Sequence, residues 1–235
     1  GKNGELYLHG GYADTDGRYR FFYRNPNHAT LTDVSTLPAG YTPYLDGAQK
    51  DTSLVGGWKG ETDSELMYNF SAGFGKNELA YFLNNTVSSS LVANGQPGQR
   101  DFDMGGYEQE EINLNADFSM PLADNMYLGF GAEWREESFE ITSGEEASWK
   151  AGPYAAQGFN IGSHGFKGFG PEAQGIDTRR SYGLYADVEA QITDAFLFGG
   201  ALRYEDFTSF GDTLNYKLTA QLTVSDEVSL RASHS

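Results

Sequence analysis

The chain has 235 residues, of which 33 are acidic and 16 basic, giving a net charge of −17 that excludes the basic footprint needed to capture nucleic-acid phosphates. It contains no cysteine, so disulfide scaffolds, thiolate metal centres, iron–sulfur clusters and thiol nucleophiles are excluded too. Thirty glycines, 16 Phe, 15 Tyr and 3 Trp against seven prolines describe strands joined by turns, yet only 39% of residues are apolar and the mean hydropathy is −0.52, thin for a soluble core of this length.

The longest apolar run covers about 195–202, well short of the roughly 18 residues a membrane-spanning helix requires. No initiator Met, basic segment or apolar leader opens the chain, so a processed protein or a piece of a longer one is expected.

In chain order, strand alternation first shows weakly at Leu6, Leu8, Gly10 and Tyr12, then over 54–58 and at Leu66, Tyr68, Phe70, Ala72 and Phe74, with a short further strand expected over 79–83. It becomes strict at Ile112, Leu114, Ala116, Phe118 and Met120, which alternate with Glu111, Asn113, Asn115, Asp117 and Ser119. A tight turn at 122–125 returns the chain through Met126, Leu128, Phe130, Ala132 and Trp134, opposed by Tyr127, Gly129, Gly131, Glu133 and Arg135. The same pattern runs from Tyr182 to Ile192, from Phe196 to Tyr204 with Leu197 as the one apolar residue on its polar side, from Leu214 to Val224, and through Val228, Leu230 and Ala232. About nine or ten strands are expected, most of about ten to fourteen residues.

Such strands, tilted near 45°, cross about 25 Å of hydrocarbon, whereas strands of soluble sheets average about five or six residues. The polar face carries Asp, Glu, Arg, Asn, Gln and Gly, which suit water. A soluble sandwich remains a possible arrangement of two such sheets, but a transmembrane antiparallel β-barrel fits better, because lipid covers the apolar face without a second layer. Tyr107, Trp134, Phe139, Tyr182, Tyr204 and Phe207, near strand ends, fit interfacial girdles or serve simply as strand-favouring residues. Connections at 123–124, 193–194 and 225–226 are tight, while those at 14–51, 75–106 and 141–179 are long. That asymmetry puts Asp124, Asp194 and Asp226 on the periplasmic side and segment 149–175 outside.

The runs starting at Tyr182 (Tyr-Gly-Leu-Tyr-Ala-Asp-Val-Glu-Ala), at Ile192 (Ile-Thr-Asp-Ala), at Gly199 (Gly-Gly-Ala-Leu-Arg-Tyr-Glu-Asp-Phe-Thr-Ser-Phe-Gly-Asp-Thr-Leu-Asn-Tyr-Lys-Leu) and at Leu230 (Leu-Arg-Ala-Ser-His-Ser) resemble the barrel of TonB-dependent outer-membrane receptors. The likeness concentrates in 107–235, including Phe130-Gly-Ala-Glu-Trp-Arg-Glu-Glu, and is looser over 1–106, through Gly75-Lys-Asn-Glu and Asn84-Asn-Thr-Val. It implies a plugged barrel of the 22-stranded class and energised uptake of a scarce, bulky ligand across the bacterial outer membrane. Residues 1–235 are then expected to be part of a single β-barrel domain, with the plug and remaining strands absent. Outer-membrane lipid, the plug of the same receptor, TonB through the missing N-terminal region and a small-molecule ligand are the expected partners. A passive porin or small outer-membrane barrel is the rival within membranes, and a soluble glycan-binding β-sandwich the rival outside them.

Within the outer segment, Trp149, Tyr154, Phe159, Phe166 and Phe169 lie among glycines and offer stacking surfaces for a siderophore, cobalamin-like ligand or sugar; the plainer reading is that they pin the loop. On the lumen face Glu111, Asp117, Glu133, Asp187, Glu189 and Glu205 come with Arg135, Arg203, Lys217 and Arg231, which favours cross-strand ion pairing along a wet wall facing the plug. His9, His28, His164 and His234 have no metal-ligand spacing, and Asp14-Thr-Asp16-Gly17 lacks the further acids of a calcium loop. The glycine-rich run Gly165-Phe-Lys-Gly-Phe-Gly lacks phosphate-loop spacing, and no hydrolase motif is present, so neither metal, cofactor nor catalytic residue is expected.

Overall fold

Side chains alternating with period two are satisfied by a pleated strand whose two faces meet different media. The computed structural model describes residues 4–26, 37–91 and 98–235; of the four histidines, His28 lies outside them. Among the described residues the strands are β1 (Glu5–Arg20), β2 (Tyr44–Glu61), β3 (Met67–Asn84), β4 (Phe102–Ala123), β5 (Met126–Ser143), β6 (Gly175–Thr193), β7 (Phe196–Phe207), β8 (Gly211–Ser225) and β9 (Val228–His234). They form one antiparallel sheet in sequence order, each strand paired with the next, and β1 is not joined to β9. Among the described residues helix is confined to α1 (Glu146–Trp149) and a 3-10 turn (Ala155–Gln157), neither of them long and apolar enough to cross a membrane.

The strands run further than their apolar alternation. The short strand expected over 54–58 belongs to β2, which has 18 residues, and the separate strand expected over 79–83 is the upper part of β3. The long connections shrink accordingly to 21–43, 85–101 and 144–174. Backbone pairing continues past the point where the apolar pattern stops, so the pattern marks the depth of the apolar medium and not the end of the strand.

One face of the sheet is an uninterrupted apolar band. It includes Leu8 and Tyr12 on β1, Trp58 and Leu54 on β2, Phe70 and Phe74 on β3, Phe118 and Ile112 on β4, Phe130 and Trp134 on β5, and Leu184 on β6. Leu8 is 73% exposed and Leu184 59%, because no second layer lies over them. A sandwich would bury these side chains against another sheet; here the described residues form a single sheet, and its apolar face is left to lipid. Trp58, Phe70, Phe118 and Phe130 touch ring to ring across β2 to β5 along the lower part of this band.

The band also records how the strands lean. Its upper edge runs through Tyr12, Leu54, Phe74, Ile112, Trp134, Tyr182, Tyr204 and Leu214, and followed through the register it slips by two residues at β1/β2, β4/β5 and β6/β7. The hairpin turns at the opposite end step the same way, by ten residues from β2/β3 to β8/β9. With about 3.3 Å per residue and about 4.8 Å between strands, the two edges give tilts of about 30° and about 50°, on either side of the 35–45° of membrane barrels.

This arrangement makes a direct prediction. Phe130→Arg, in the middle of the band, is expected to destabilise the full-length protein in lipid vesicles by about 2–4 kcal/mol, while Glu140→Arg, on the same face above the band, should shift stability by about 0–1 kcal/mol. Urea unfolding in vesicles checks both, and equal small effects would put the whole face in water.

Candidate functional site

Above the apolar band, β3, β4 and β5 exchange the chemistry of their two faces. The outward positions become Lys76 and Glu78, Glu108 and Glu110, then Glu136 and Glu140, with the Lys76 ammonium 2.8 Å from Glu108 and 3.3 Å from Glu110. The inward positions become Leu79, Tyr81 and Leu83, then Tyr107, then Phe139 and Ile141. Once a strand has left lipid its outer face meets water, and an inward apolar face can be covered only by loops.

A bulge in β4 completes the exchange. Tyr81 pairs with Gly105 but Phe82 pairs with Asp103, so Met104 is an extra residue, accommodated by Gly105 at φ +82°. The slip turns Phe102 inward opposite Leu83. Leu83, Phe102 and Met104 form a buried hydrophobic cluster, with Phe21, Leu45, Tyr81, Ala147 and Phe166 packed around it.

Loop 144–174 lies over this inward apolar patch. The Gly144 N–H donates to Phe169 O and the Phe169 N–H to Met104 O, both at 3.0 Å. Phe169 meets Tyr107 with ring centroids 4.9 Å apart, Phe166 meets Tyr81 at 5.7 Å, and Tyr107 stacks on Phe139 at 5.4 Å. Around α1, the Ser148 carbonyl accepts from the N–H groups of Ser163 and Gly168. Segment 86–90 is buried between this loop and the β1–β2 connection: Thr86 Oγ1 donates to His164 O, the His164 N–H donates to Val87 O, and the Tyr154 N–H donates to Ser90 O. Arg24, only 3% exposed, donates to Phe22 O and to His164 Nδ1 while its guanidinium lies 3.6 Å from the centre of the Phe22 ring, and burial lowers its pKa from the ordinary arginine value. The described parts of the three long connections thus interlock as one cap on the inner face of the sheet.

The five loop aromatics fall into two groups. Phe166 and Phe169 are engaged by Tyr81 and Tyr107, whereas Trp149, whose Nε1 donates to Gly144 O at 3.0 Å, Tyr154 and Phe159 are half-buried. Three residues expected at lipid girdles, Tyr107, Phe139 and Phe207, point to the inner face instead, Phe207 stacking on Phe210 beneath Arg179. Trp134, Tyr182 and Tyr204 do lie on the upper edge of the lipid face.

Below the cap the inner wall is polar and low in relief. Tyr7 lies across Gly57 of the adjacent strand and donates to Asn69 Oδ1 at 2.8 Å; Asn69 Nδ2 donates to Asp117 Oδ2 at 3.3 Å; and Tyr185, lying across Gly131, donates to Asp117 Oδ1. This chain of hydrogen bonds spans β1 to β6. It is possible because the strand under each tyrosine carries a glycine, where any Cβ would overlap the ring.

Higher on the wall, a charge ladder alternates sign: Glu111, Arg135, Glu133, Arg203, Glu205. Arg135 lies 3.9 Å from Glu111 and 3.2 Å from Glu133, and Arg203 lies 3.4 Å from Glu133 and 2.9 Å from Glu205. Glu133 on β5 reaches Arg203 on β7 because Gly183 of β6 leaves the space between them empty of side chain. Arg231 donates to Gln221, while Asp187, Glu189 and Lys217 lie on the same face with no ion pair among the described residues. The glycines that make both networks possible went unread in the sequence, where they looked like gaps in a polar face.

Among the described residues no group of three or more His, Asp or Glu is placed to hold a metal ion. The sequence profile described as TonB dependent receptor-like, beta-barrel matches residues 2–235. No curated protein matches the sequence. Among solved structures, the ferric enterobactin receptor of Pseudomonas aeruginosa in complex with enterobactin superposes on 95% of the chain with a TM-score of 0.53 at 12% identity. The FrpB iron transporter of Neisseria meningitidis superposes on 99% with a TM-score of 0.50 at 14% identity. The chain spans about a third of the length of each, 33% and 36% respectively. A lipid-facing apolar band, a wet inner wall, short turns at one end, interlocked loops at the other and a family match over nearly every residue lead to one assignment: the chain belongs to the TonB-dependent receptor β-barrel family of the bacterial outer membrane.

Proposed function

We propose that residues 1–235 are part of one barrel domain and supply wall and external loops to a receptor that takes up a scarce, bulky ligand across the outer membrane, energised through TonB and without enzymatic turnover. The observation that carries this reading is the loop cap: the described parts of three long connections fold onto the inner face of the wall, above its polar stretch. An ordered aromatic cap above a polar lumen suits a receptor, which needs a preformed surface on which a ligand first settles. The polar wall below, with Asp187, Glu189 and Lys217 uncommitted, suits a plug of the same receptor. TonB would act through a region outside this segment. Ferric siderophores are the first ligand class to test, because the solved neighbours are by name an enterobactin receptor and an iron transporter.

Within the cap, Trp149, Tyr154 and Phe159 are the ligand-facing residues in this reading, and Phe166 and Phe169 hold the loop in place. In the full-length receptor, the double substitution Tyr154→Ala with Phe159→Ala is expected to weaken binding of the siderophore that best supports growth by about five- to tenfold, from the loss of two stacking contacts, with unchanged resistance to urea. Phe169→Ala should instead lower stability by about 2 kcal/mol. Uptake that persists in cells lacking TonB would defeat the receptor reading in favour of a passive pore.

A further inference from the structure

His164 sits where the described parts of the three long connections meet. It is half-buried, on a turn of loop 144–174 flanked by Gly162 at φ +77° and Gly165 at φ +119°. Its backbone ties the loop to segment 86–90: the N–H donates to Val87 O at 2.8 Å and the carbonyl accepts from Thr86 Oγ1 at 2.5 Å. Its ring faces the β1–β2 connection, where Nδ1 accepts from Arg24 Nε at 3.3 Å and lies 3.3 Å from the Tyr41 hydroxyl. Arg24 and Tyr41 are held opposite each other by a reciprocal pair of backbone hydrogen bonds, at 2.7 and 2.8 Å, and only 3% and 4% of their surfaces are exposed.

The charged side chains packed around this imidazole are arginines. Arg24 makes no ion pair among the described residues; its guanidinium is met by Phe22 O, the Phe22 ring and the imidazole, and burial lowers its pKa. Arg100 of the β3–β4 connection sits over the Tyr41 ring, 5.5 Å from its centre, donates to Thr86 O and Asn85 Oδ1, both at 2.6 Å, and is likewise lowered by burial. Asp101, exposed beside Arg100, accepts from the Asn85 N–H at 2.8 Å, and Lys167 of the same loop pairs with Glu172 at 3.8 Å. A neutral imidazole suits this setting, because its Nδ1 lone pair accepts from Arg24. A proton on Nδ1 removes that acceptor and sets a second cation against a buried guanidinium that cannot lose its own proton.

We propose that His164 is an acid-sensitive latch on the cap: neutral, it holds loop 144–174 against the β1–β2 connection, and protonated, it releases the loop. Freed into water, an imidazole takes up a proton near about pH 6.5, whereas the latched ring has to stay neutral to accept from Arg24. The opened form therefore binds the extra proton. The closed cap has its full stability above about pH 6.5 and loses it as pH falls below that value, the opening equilibrium rising by at most about tenfold per pH unit. Gly165 separates His164 from the Phe166–Phe169 anchor, so the turn swings while the Phe169 N–H stays on Met104 O. The latch depends on the cap alone, whatever ligand the receptor takes, and it makes the external face of the wall responsive to the acidity of the medium.

Amide hydrogen exchange of the detergent-solubilised full-length receptor, with protection factors normalised to the intrinsic rate at each pH, reads the latch. Between about pH 7.5 and about pH 5.5, protection of Thr86, Ser90 and His164, whose N–H groups donate to Arg100 O, Asn160 O and Val87 O, is expected to fall about five- to tenfold. Protection of β4 and β5 within the apolar band should stay level over the same range. His164→Asn, whose amide oxygen stands in for Nδ1 and does not titrate, is expected to keep protection high at both pH values. Arg24→Gln, which keeps a donor and removes the charge, should reduce the response about twofold or more, and decides the matter if His164→Asn fails to fold. Level protection in the unsubstituted receptor, a fall that survives in full in either variant, or a fall shared equally by β4 and β5 would each overturn the latch.

Discussion

Gly105→Ala in the full-length receptor is expected to lower stability by about 2–4 kcal/mol and to loosen the external loops while the lower barrel stays folded. Gly105 has φ +82°, where an L side chain is strained, and an added Cβ would overlap the carbonyl oxygen of Thr142 and crowd Gly144 N at 2.7 Å and the Ser143 carbonyl carbon at 2.9 Å. Those atoms belong to the end of β5 and the start of loop 144–174, so the strain falls on the joint between wall and cap. If the bulge relaxes to relieve it, Met104 and Phe102 rotate off Leu83, and the small buried core loses its geometry. Protease sensitivity should therefore rise within 144–174 before urea unfolds the barrel. Simultaneous loss of both at one urea concentration would show that cap and wall are a single cooperative unit, contrary to the expectation.

Glu133→Lys is expected to cost about 1–2 kcal/mol and to be partly repaired by the charge reversal Arg203→Glu on the same chain. Glu133 is the central rung of the ladder, between Arg135 at 3.2 Å and Arg203 at 3.4 Å, and its side chain is 18% exposed. A lysine there would place three cations side by side across β5 and β7. The magnitude is held down because the wall faces a lumen wet enough to screen charges, and both arginines are about a third exposed. Glu133→Gln, which keeps the shape and removes the charge, should cost less than half as much. Urea midpoints of the two single variants and the double variant form a mutant cycle; a coupling energy near zero would mean that the ladder is neighbourly spacing without energetic consequence.

Both predictions depend on features that were differently visible in the sequence. The ladder's members were legible as a set, because Glu133, Arg135, Arg203 and Glu205 occupy the polar phase of strict alternations. Their order was not legible, because it depends on register: Gly183 falls between Glu133 and Arg203 only when β5, β6 and β7 pair as they do. The wall tyrosines were hidden for the same reason. Tyr7 and Tyr185 read as ordinary residues on a polar face until pairing set each over a glycine and within reach of Asn69 or Asp117.

The upper part of β3 is expected from the sequence as a connection holding a separate short strand over 79–83, because the alternation there changes phase. Leu79, Tyr81 and Leu83 are apolar at odd positions, where Phe70 and Phe74 are apolar at even ones, and a rule that follows one phase ends the strand at the change. The signal was present in the charged even positions, Lys76, Glu78, Glu108, Glu110 and Glu136: a strand that turns charged on one face and apolar on the other has left its first medium without ending. The same phase change accounts for Tyr107 and Phe139, which belong to the cap and not to a lipid girdle.

The class of fold, the direction of the apolar face and the asymmetry of short and long connections are legible in the residues, because each follows from period-two patterning and turn chemistry along one strand at a time. Which polar residues meet, and which loop aromatics pack on the wall, came from the tertiary structure alone. Those depend on contacts between residues tens of positions apart, fixed by register, one bulge and a handful of glycines, and a single-residue change in pairing would move every one of them to the other face.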